Sequence, residues 1–430
     1  MNLGLVTLGC TKNQVDSELL LGVFKKMGID IVNNPELCDI IVINTCGFIE
    51  SAKKEAIDTI LEYIEYKKNR CKHLIVVGCL AKRYKEEIYN NFKEVDLVIG
   101  NDEYDNIDNI LSKYFNKVSY KFDYLNKLVI SKFPLAYVKI SEGCNNNCAY
   151  CAIPLIRGKF KSRKLEDIIE EVKLLVKNGI TDICLISQDT TCYGLDIYGE
   201  YKLSDLLIEL NKLVGIKVIR ILYMYLYEID DKLINTIKDN EKIAKYFDIP
   251  IQHTNNKILK LMNRHDTKEL IFDKINYIRN KIPDAIIRTT VIVGFPYETD
   301  KIFNELLEDI KVLKFDRLGA FSFSREINTV AYDMKSQVSS FKKQERLDAL
   351  MKLQSNISYE LNKKYIGKTF EVLIEDINDE YYICRSYMNA PDVDGVILVK
   401  LNNIDKYIIG KYYNVRIIDF NEYDLFAELI

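Results

Sequence analysis

The 430-residue sequence lacks the signals of several large protein classes. No apolar run is long enough to span a membrane, and the first residues lack the basic start and cleavage site of a signal peptide. No G-x-G-x-x-G follows the first apolar run, and G-x-x-x-x-G-K-[ST] is absent, so a dinucleotide or P-loop site has no support. The net charge of −3 gives no basic signature for nonspecific nucleic-acid binding. These absences predict a cytoplasmic protein without membrane contact.

Histidine is also scarce, with three residues in the whole chain, and no Ser/His/Asp constellation is present. His73 precedes an apolar run and His265 lies in a polar stretch, so neither is predicted to act in catalysis. Cysteine, in contrast, occurs eleven times. In a reducing compartment such cysteines are more often metal ligands or core residues than disulfide partners. The cysteines are therefore the main candidates for a functional site.

Three cysteines lie in one short loop, at Cys144, Cys148 and Cys151, directly after an apolar run that alternates like a strand. Thiolates at this C-x-x-x-C-x-x-C spacing can hold three corners of a cubic iron–sulfur cluster. No fourth cysteine follows closely, so one iron would stay open to a substrate or cofactor. The alternatives are a zinc site, which usually has a fourth protein ligand, and unrelated buried thiols.

The first third of the chain alternates strands and helices, which predicts a parallel α/β domain. Its predicted strands, residues 3–8, 40–44 and 74–78, are followed closely by Cys10, Cys46 and Cys79. Because the carboxyl ends of parallel strands share one edge, we expect these three cysteines to converge. Three small buried residues at tight turns are the alternative. Cys38 and Cys71 precede strands and are expected at the opposite edge.

Strand–helix alternation resumes after a predicted linker at about residues 115–132 and indicates an incomplete (β/α)6 barrel. The cysteine loop then lies at the edge where such barrels carry their chemistry. A long polar helix leads to a last segment of short strands, which predicts a small closed barrel. The predicted strands of the incomplete barrel are residues 137–141, 182–187, 218–225, 247–252, 286–294 and 318–324.

The chain as a whole resembles the methylthiotransferases, a family of radical S-adenosylmethionine (radical SAM) enzymes. The resemblance implies an N-terminal methylthiotransferase domain at 1–118, a radical SAM domain at 133–362 and a C-terminal TRAM (OB-like) barrel at 363–430. The match is closest to the branch that modifies an aspartate of the twelfth small-subunit ribosomal protein. The motifs that carry it are residues 7–13, 44–53, 139–144, 152–158, 249–253, 315–319 and 390–395.

The resemblance implies two [4Fe-4S] clusters and S-adenosylmethionine as cofactors. A 5′-deoxyadenosyl radical formed at the first cluster would remove hydrogen from the β-carbon of an aspartate. The second cluster would hold sulfur that a second S-adenosylmethionine methylates before transfer. A low-potential electron donor such as flavodoxin or ferredoxin is the implied redox partner. The implied ligands are Cys144, Cys148 and Cys151 for the first cluster, Cys10, Cys46 and Cys79 for the second, and Tyr150, Gln188 and Gly294 for the cofactor.

Two residues depart from the family pattern: Leu226 stands where proline is usual, and Tyr297 where glycine is usual. Cys192 lies close to the expected cofactor site, but the family does not require it, so it is predicted to be a bystander. Cys184 and Cys384 are predicted to be core residues. Two other functions stay open, namely methylthiolation of a tRNA adenosine beside the anticodon and a non-catalytic iron–sulfur electron carrier.

The C-terminal segment, residues 363–430, is acidic, with eight Lys plus Arg against twelve Asp plus Glu and a net charge of −4. An acidic barrel would repel tRNA phosphates and attract a basic protein. This predicts a basic ribosomal protein as partner and no direct tRNA binding, the alternative being a merely solvated surface. The acidic residues cluster around two turns, at Glu375, Asp376, Asp379 and Glu380, and at Asp392 and Asp394.

Overall fold

The computed structural model of the chain describes residues 1–401 and 407–430, so residues 402–406 of the predicted third domain lie outside the described part. The fold is built on a five-stranded parallel sheet, six parallel strands of an open barrel and a closed five-stranded barrel. This mixed α/β architecture is the predicted one. Among the described residues, no helix is both long and apolar enough to cross a membrane.

The N-terminal sheet has the strand order β2-β1-β3-β4-β5, and all its strand pairs are parallel. Its central strand β3 is buried at every position, as expected for a sheet with both faces covered. The sequence analysis missed two edge strands, which are too short to show a periodic pattern. The elements are β1 Asn2–Thr7, α1 Thr11–Lys26, β2 Asp30–Ile31, β3 Ile40–Thr45, α2 Glu50–Ile64, β4 His73–Gly78, α3 Cys79–Arg83, α4 Lys85–Asn91, β5 Leu97–Gly100 and α5 Ile107–Phe115.

The segment predicted as a linker, residues 115–132, is packed between its neighbours. The ammonium of Lys127 is buried 2.8 Å from Glu171 Oε1 and 3.5 Å from Glu18 Oε2. The guanidinium of Arg163 lies over the ring of Tyr124 at 3.4 Å. Because Glu18 belongs to α1 and Glu171 follows the linker, these contacts tie the N-terminal sheet to the open barrel.

The open barrel has six parallel strands in two three-stranded sheets, β10-β9-β6 and β11-β12-β13, connected by a bridge between Ile219 and Ile243. The predicted strands 218–225 and 247–252 end early, at Ile221 and Asp248, and Tyr223 and Gln252 further along have positive φ of 64° and 67°. The elements are β6 Leu135–Lys139, β7 Ser141–Glu142, α6 Ile153–Arg157, β8 Lys161–Ser162, α7 Leu165–Lys177, β9 Asp182–Ile186, α8 Leu195–Tyr198, α9 Leu203–Lys212, β10 Val218–Ile221, α10 Asp231–Asp239, β11 Tyr246–Asp248, α11 Asn256–Leu261, α12 Lys268–Lys281, β12 Ile286–Val293, α13 Asp300–Leu313, β13 Arg317–Ser322 and α14 Ser340–Asn362.

The C-terminal strands form the predicted closed barrel, in the order β14-β15-β16-β18-β17. The last strand was not predicted, and it closes the barrel by pairing with both β16 and β17. Closure removes the free strand edges that would otherwise be exposed. The strands are β14 Thr369–Ile377, β15 Tyr381–Arg385, β16 Ile397–Lys400, β17 Tyr412–Phe420 and β18 Leu425–Leu429.

The loop between β15 and β16 docks against the open barrel. The hydroxyl of Tyr137 donates to Asp392 at 3.0 Å, and that of Tyr246 donates to Asp394 at 2.6 Å. The guanidinium of Arg220 donates to the carbonyl of Tyr387 at 2.7 Å. These contacts fix the orientation of the small barrel relative to the open one.

The predicted acidic residues are partly engaged by contacts within the fold. Besides Asp392 and Asp394, Glu375 pairs with Arg385 and Asp376 with Lys132, both at 2.8 Å. Of the predicted acidic residues, Asp379, Glu380 and Asp392 are exposed and have no ion pair within the described part of the chain. The sequence count could not reveal this, because the partners lie elsewhere in the chain or on the next strand.

Candidate active site

The structure brings Cys10, Cys46 and Cys79 together at the carboxyl edge of the N-terminal sheet. Cys10 caps α1, Cys46 follows β3 and Cys79 begins α3. Burial, together with the nearby thiols of Cys79 and Cys10, raises the pKa of Cys46 to about 12. The expected convergence of these three cysteines is therefore confirmed.

Two glycines allow the strand ends to approach each other this closely. Gly9 has φ +86°, and a Cβ there would lie 2.6 Å from Cys46 Cβ. A Cβ on Gly47 would lie 2.9 Å from the backbone of Leu80, which follows Cys79 directly. Backbone atoms cannot move aside as a flexible side chain can, so glycine is needed where two turns touch.

Four of the remaining cysteines lie where their sequence positions predicted. Cys38 and Cys71, which precede β3 and β4, are buried together in an apolar cluster away from Cys10, Cys46 and Cys79. Cys184 and Cys384 are fully buried core residues. Those positions bring no further thiol to the carboxyl edge of the N-terminal sheet.

The second cysteine site is the loop of Cys144, Cys148 and Cys151, which follows β7. The backbone N–H of Cys144 donates to Gly158 at 3.2 Å, and that of Ala149 donates to Met262 at 2.9 Å. Burial, together with Asp189 and Cys148, raises the pKa of Cys144 to about 12, even though hydrogen bonding to the backbone opposes it. The two backbone hydrogen bonds, at Cys144 and at Ala149, thus fix the loop to the segments on both sides of it.

Neither set of three cysteines has the spacing of a single-ion site. In the described residues, the group whose metal-ligating atoms all lie within 4.8 Å of one another is Asp189, Cys192 and Glu228, and neither cysteine set forms such a group. Three thiolates on one zinc would be about 3.8 Å apart, given Zn–S bonds of about 2.3 Å in a tetrahedron. A cluster spreads its ligands over several metal atoms, so the wider spacing fits a cluster better than zinc.

Gln188, Tyr150 and Gly294, the predicted cofactor contacts, surround the cysteine loop. The amide of Gln188 donates to Glu142 at 2.7 Å, while its buried Oε1 has no partner in the described structure. Tyr150 packs in one apolar cluster with Phe295, the neighbour of Gly294. An unused buried acceptor suits an amino group and an apolar cluster with aromatic rings suits an adenine, so these residues fit S-adenosylmethionine.

A buried acidic group that the sequence analysis missed lies beside Gln188. The thiol of Cys192 donates to Asp189 at 3.4 Å and to Glu228 at 3.6 Å. Burial and the nearby Asp189 raise the pKa of Glu228 to about 7. Asn146 of the cysteine loop donates to Asp189 at 2.7 Å. Neither carboxylate is ion-paired to a described side chain, so this acidic group, Asp189, Cys192 and Glu228, would favour a cationic ligand.

His253 contributes to the shape of the site and not to proton transfer. Its side chain is fully buried, and its Nδ1 accepts from the backbone N–H groups of Thr254 and Asn255 at 2.9 Å each. Burial and the charge of Arg346 lower its pKa to about 3, so the ring is neutral at ordinary pH. Nε2 lies 3.9 Å from Glu298, whose carboxylate accepts the N–H of Gly294 at 2.7 Å.

The two cysteine sites meet across the interface between the sheet and the open barrel. Cys79 packs with Ala152 and Ile156 in a small apolar cluster, and Ala152 follows Cys151 directly. Arg157, at the end of the same helix α6, is also buried in this interface. The sequence analysis assigned no role to this arginine. Its charge in the otherwise apolar stretch Ile153–Arg157 could have marked it as a candidate functional residue.

Three sequence families match the chain in the order that the fold displays. Residues 2–100 match the uncharacterized protein family UPF0004, residues 138–310 the radical SAM superfamily and residues 366–430 the TRAM domain. The fold resembles that of the radical SAM methyltransferase TsrM from Kitasatospora setae, with a TM-score of 0.57, 12% identity and coverage of 75% of this chain and 74% of that one. The fold and the site thus define a radical SAM enzyme.

Relatives that match the full length of the chain identify a narrower family within the radical SAM enzymes. The chain is 47% identical to the ribosomal protein uS12 methylthiotransferase RimO of Clostridium novyi, covering 98% of this chain and 97% of that protein. The RimO of Alkaliphilus oremlandii is 48% identical, with 100% and 99% covered, and that of Clostridioides difficile is 46% identical, with 100% and 99% covered. The chain belongs to the RimO family of radical SAM methylthiotransferases.

Proposed function

We propose that this enzyme transfers a methylthio group to the β-carbon of an aspartate in ribosomal protein uS12, as the names of its relatives suggest. One observation carries the proposal: each of two domains brings a set of three cysteines to their shared interface, where Cys79 of one set packs against Ala152, the neighbour of Cys151 in the other. An unactivated C–H bond offers no acidic proton to a base, so a bound radical cofactor must supply the difficult step.

The six cysteines would hold two [4Fe-4S] clusters, each with one iron left open. When bound, these groups supply the carbon radical and the sulfur that is transferred. The protein's own part is to orient and to exclude water, which strengthens electrostatic interactions inside the site. Every ligand position is at least partly buried except Cys10, the most exposed of the six.

The residues around the loop of Cys144 would bind S-adenosylmethionine through its charges and its rings. Gln188 Oε1 would accept from the amino group, and the Asp189–Cys192–Glu228 group would stabilise the positive charge of the ammonium and sulfonium. Tyr150 and the backbone of Gly294 would contact the adenine and ribose. The carboxylates are well placed for this, since a cation removes the cost of burying them unpaired.

The partners in this proposal are a basic ribosomal protein and a low-potential electron donor such as flavodoxin or ferredoxin, both in the cytoplasm. On the C-terminal barrel, Asp379 and Glu380, in one turn, are among the predicted acidic residues left exposed to attract a basic partner. Complementary charge acts mainly on encounter rate and partner choice, so this turn would assist docking and not the reaction.

The test is an anaerobic assay of the reconstituted enzyme with S-adenosylmethionine and a reductant, offered either uS12 or a tRNA anticodon stem. Mass spectrometry should detect a methylthio group on a uS12 aspartate, together with 5′-deoxyadenosine. Modification of the tRNA in place of uS12 would favour the tRNA alternative. If bound iron is reduced and reoxidised without any 5′-deoxyadenosine, the chain is an electron carrier and the proposal is wrong.

A further inference from the structure

Arg157 contacts both Cys79 of the N-terminal site and Glu142, which directly precedes the loop of the radical site. One guanidinium nitrogen, Nη1, donates to both oxygens of Glu142, at 3.0 and 3.1 Å. The other, Nη2, lies 3.7 Å from the sulfur of Cys79 and donates to Asn13 Oδ1 at 2.6 Å. Its side chain is 2% exposed.

The contact with Glu142 extends towards the cofactor side. Glu142 lies two residues before Cys144, and it also accepts the amide of Gln188 at 2.7 Å. Lys139 and Arg157 both form ion pairs with Glu142. A continuous path of hydrogen bonds therefore runs from Cys79 through Arg157 and Glu142 to Gln188.

The network is electrically balanced, which explains how it can be buried. Asp16 of α1 accepts from Arg157 at 2.9 Å and from Lys139 at 2.5 Å, and Lys139 also contacts Glu142 at 2.5 Å. Two cations thus face two anions, and each cation touches both anions. Buried ions persist when they are paired and hydrogen-bonded, but a pair of this kind contributes more to fixed geometry than to stability.

We propose that Arg157 is a positioning residue that joins the two cysteine sites and tunes the group bound at the N-terminal one. The inference rests on the proposed function, since it assumes a cluster on Cys10, Cys46 and Cys79. The forked guanidinium holds Glu142 with one nitrogen and donates to the sulfur of Cys79 with the other. Lysine, with a single ammonium nitrogen, cannot keep both contacts in this geometry.

The N–H···S contact has a measurable consequence. Hydrogen bonds and positive charge at the ligand sulfurs stabilise the more negative, reduced form of an iron–sulfur cluster. Loss of the guanidinium should therefore lower the reduction potential of the N-terminal cluster. A residue that only supported the fold would change stability and leave the potential unchanged.

The experiment isolates the N-terminal cluster by replacing Cys144, Cys148 and Cys151 with alanine, and then follows its reduction by electron paramagnetic resonance at controlled potentials. Arg157→Lys and Arg157→Met are compared in this background. Arg163 supplies the matched control, since it is a mostly buried arginine of the same domain that pairs with Glu171 at 2.6 Å and touches no cysteine. Arg163→Lys and Arg163→Met are measured in parallel, with bound iron recorded for every variant.

We expect a shift to lower potential for both Arg157 variants, larger for methionine than for lysine, and none for the Arg163 variants. An unchanged potential in Arg157→Lys and Arg157→Met with iron retained would overturn the inference. Loss of all iron from both variants would also overturn the inference, because Arg157 would then be needed for the cluster to bind and not for adjusting its reduction potential. A parent background that binds no iron would instead refute the two-cluster function, and the inference with it.

Discussion

The two cysteine sites of this enzyme have the same number of ligands but are built in opposite ways. The radical site is local, with Cys144, Cys148 and Cys151 in one loop whose ends are held by backbone hydrogen bonds. The N-terminal site is assembled by topology, since Cys10, Cys46 and Cys79 come from the ends of separate elements of one sheet. The first depends on a turn, and the second depends on the packing of a whole domain.

This difference predicts which changes damage each site. A local loop tolerates changes elsewhere as long as its own backbone contacts persist. A site formed by strand ends is sensitive wherever its turns pack closely, as at Gly47, which lies against the backbone of Leu80, and at Gly9, which lies against Cys46 Cβ. Interiors are packed closely enough that one added methyl group at such a point is felt. The predictions below separate the two sites on this basis.

The largest effect should come from replacing Cys144, Cys148 and Cys151 with alanine. Radical generation requires the cluster at this loop, so we expect 5′-deoxyadenosine formation and methylthiolation to be abolished. About half of the iron should remain, because the proposed N-terminal cluster would have cysteine ligands of its own. Iron and sulfide analysis after anaerobic reconstitution measures this. A variant without iron, or with its full complement, would contradict the existence of two independent sites.

Replacing Cys10, Cys46 and Cys79 with alanine should have a more selective effect. Methylthiolation is expected to disappear, since this site would carry the transferred sulfur, while part of the S-adenosylmethionine cleavage persists. Product analysis for 5′-deoxyadenosine and for modified uS12 in the same reaction tests this division of roles between the two cysteine sites. Complete loss of 5′-deoxyadenosine in a folded variant would show that the two sites do not have separate roles.

A smaller change, Gly47→Ala, should weaken the N-terminal site and leave the radical loop intact. The added Cβ would meet the backbone of Leu80 at 2.9 Å, and overpacking of this kind costs about 1–3 kcal/mol. Iron binding in the background without Cys144, Cys148 and Cys151 should fall. Gly319→Ala is the control, because its Cβ would meet nothing closer than 3.6 Å. Equal iron loss in both variants would attribute the effect to general destabilisation.

The contrast between the sites also explains what could be predicted from the sequence. The radical loop is evident from cysteine spacing, since its ligands are close in the chain. The N-terminal site could be predicted only through the positions of the strands, and this succeeded because each cysteine follows a strongly apolar run. The strand β18 was missed, since its pairing with β16 and β17 is specified by closure of the barrel and not by a local pattern.

The polar residues around the sites were the harder part to predict. Arg157, Glu142 and Asp16 are far apart in the chain and meet only in the folded interface. The same reason explains why the ion pairs of Glu375 and Asp376 were not foreseen, since their positive partners were not visible as neighbours. Ion pairs between distant residues depend on side-chain geometry, and charge counts do not contain that information.

The smallest expected effect concerns the loop beside the radical site, where Tyr297 stands in place of the usual glycine. Its φ is +68°, a conformation that costs a residue with a Cβ about 1–2 kcal/mol. The conformation is fixed, because the N–H of Tyr297 donates to the carbonyl of Ser336 at 3.1 Å. Glycine would relieve this strain but would gain freedom in the unfolded chain, which offsets part of the benefit.

We therefore expect Tyr297→Gly to raise the free energy of unfolding by about 0.5–1 kcal/mol, as measured by chemical denaturation. Tyr297→Ala is the decisive comparison, since alanine also removes the ring but keeps the Cβ and its strain. It should be no more stable than the tyrosine parent. If alanine and glycine stabilise equally, the gain comes from loss of the ring, and strain in this loop is not the reason the family favours glycine there.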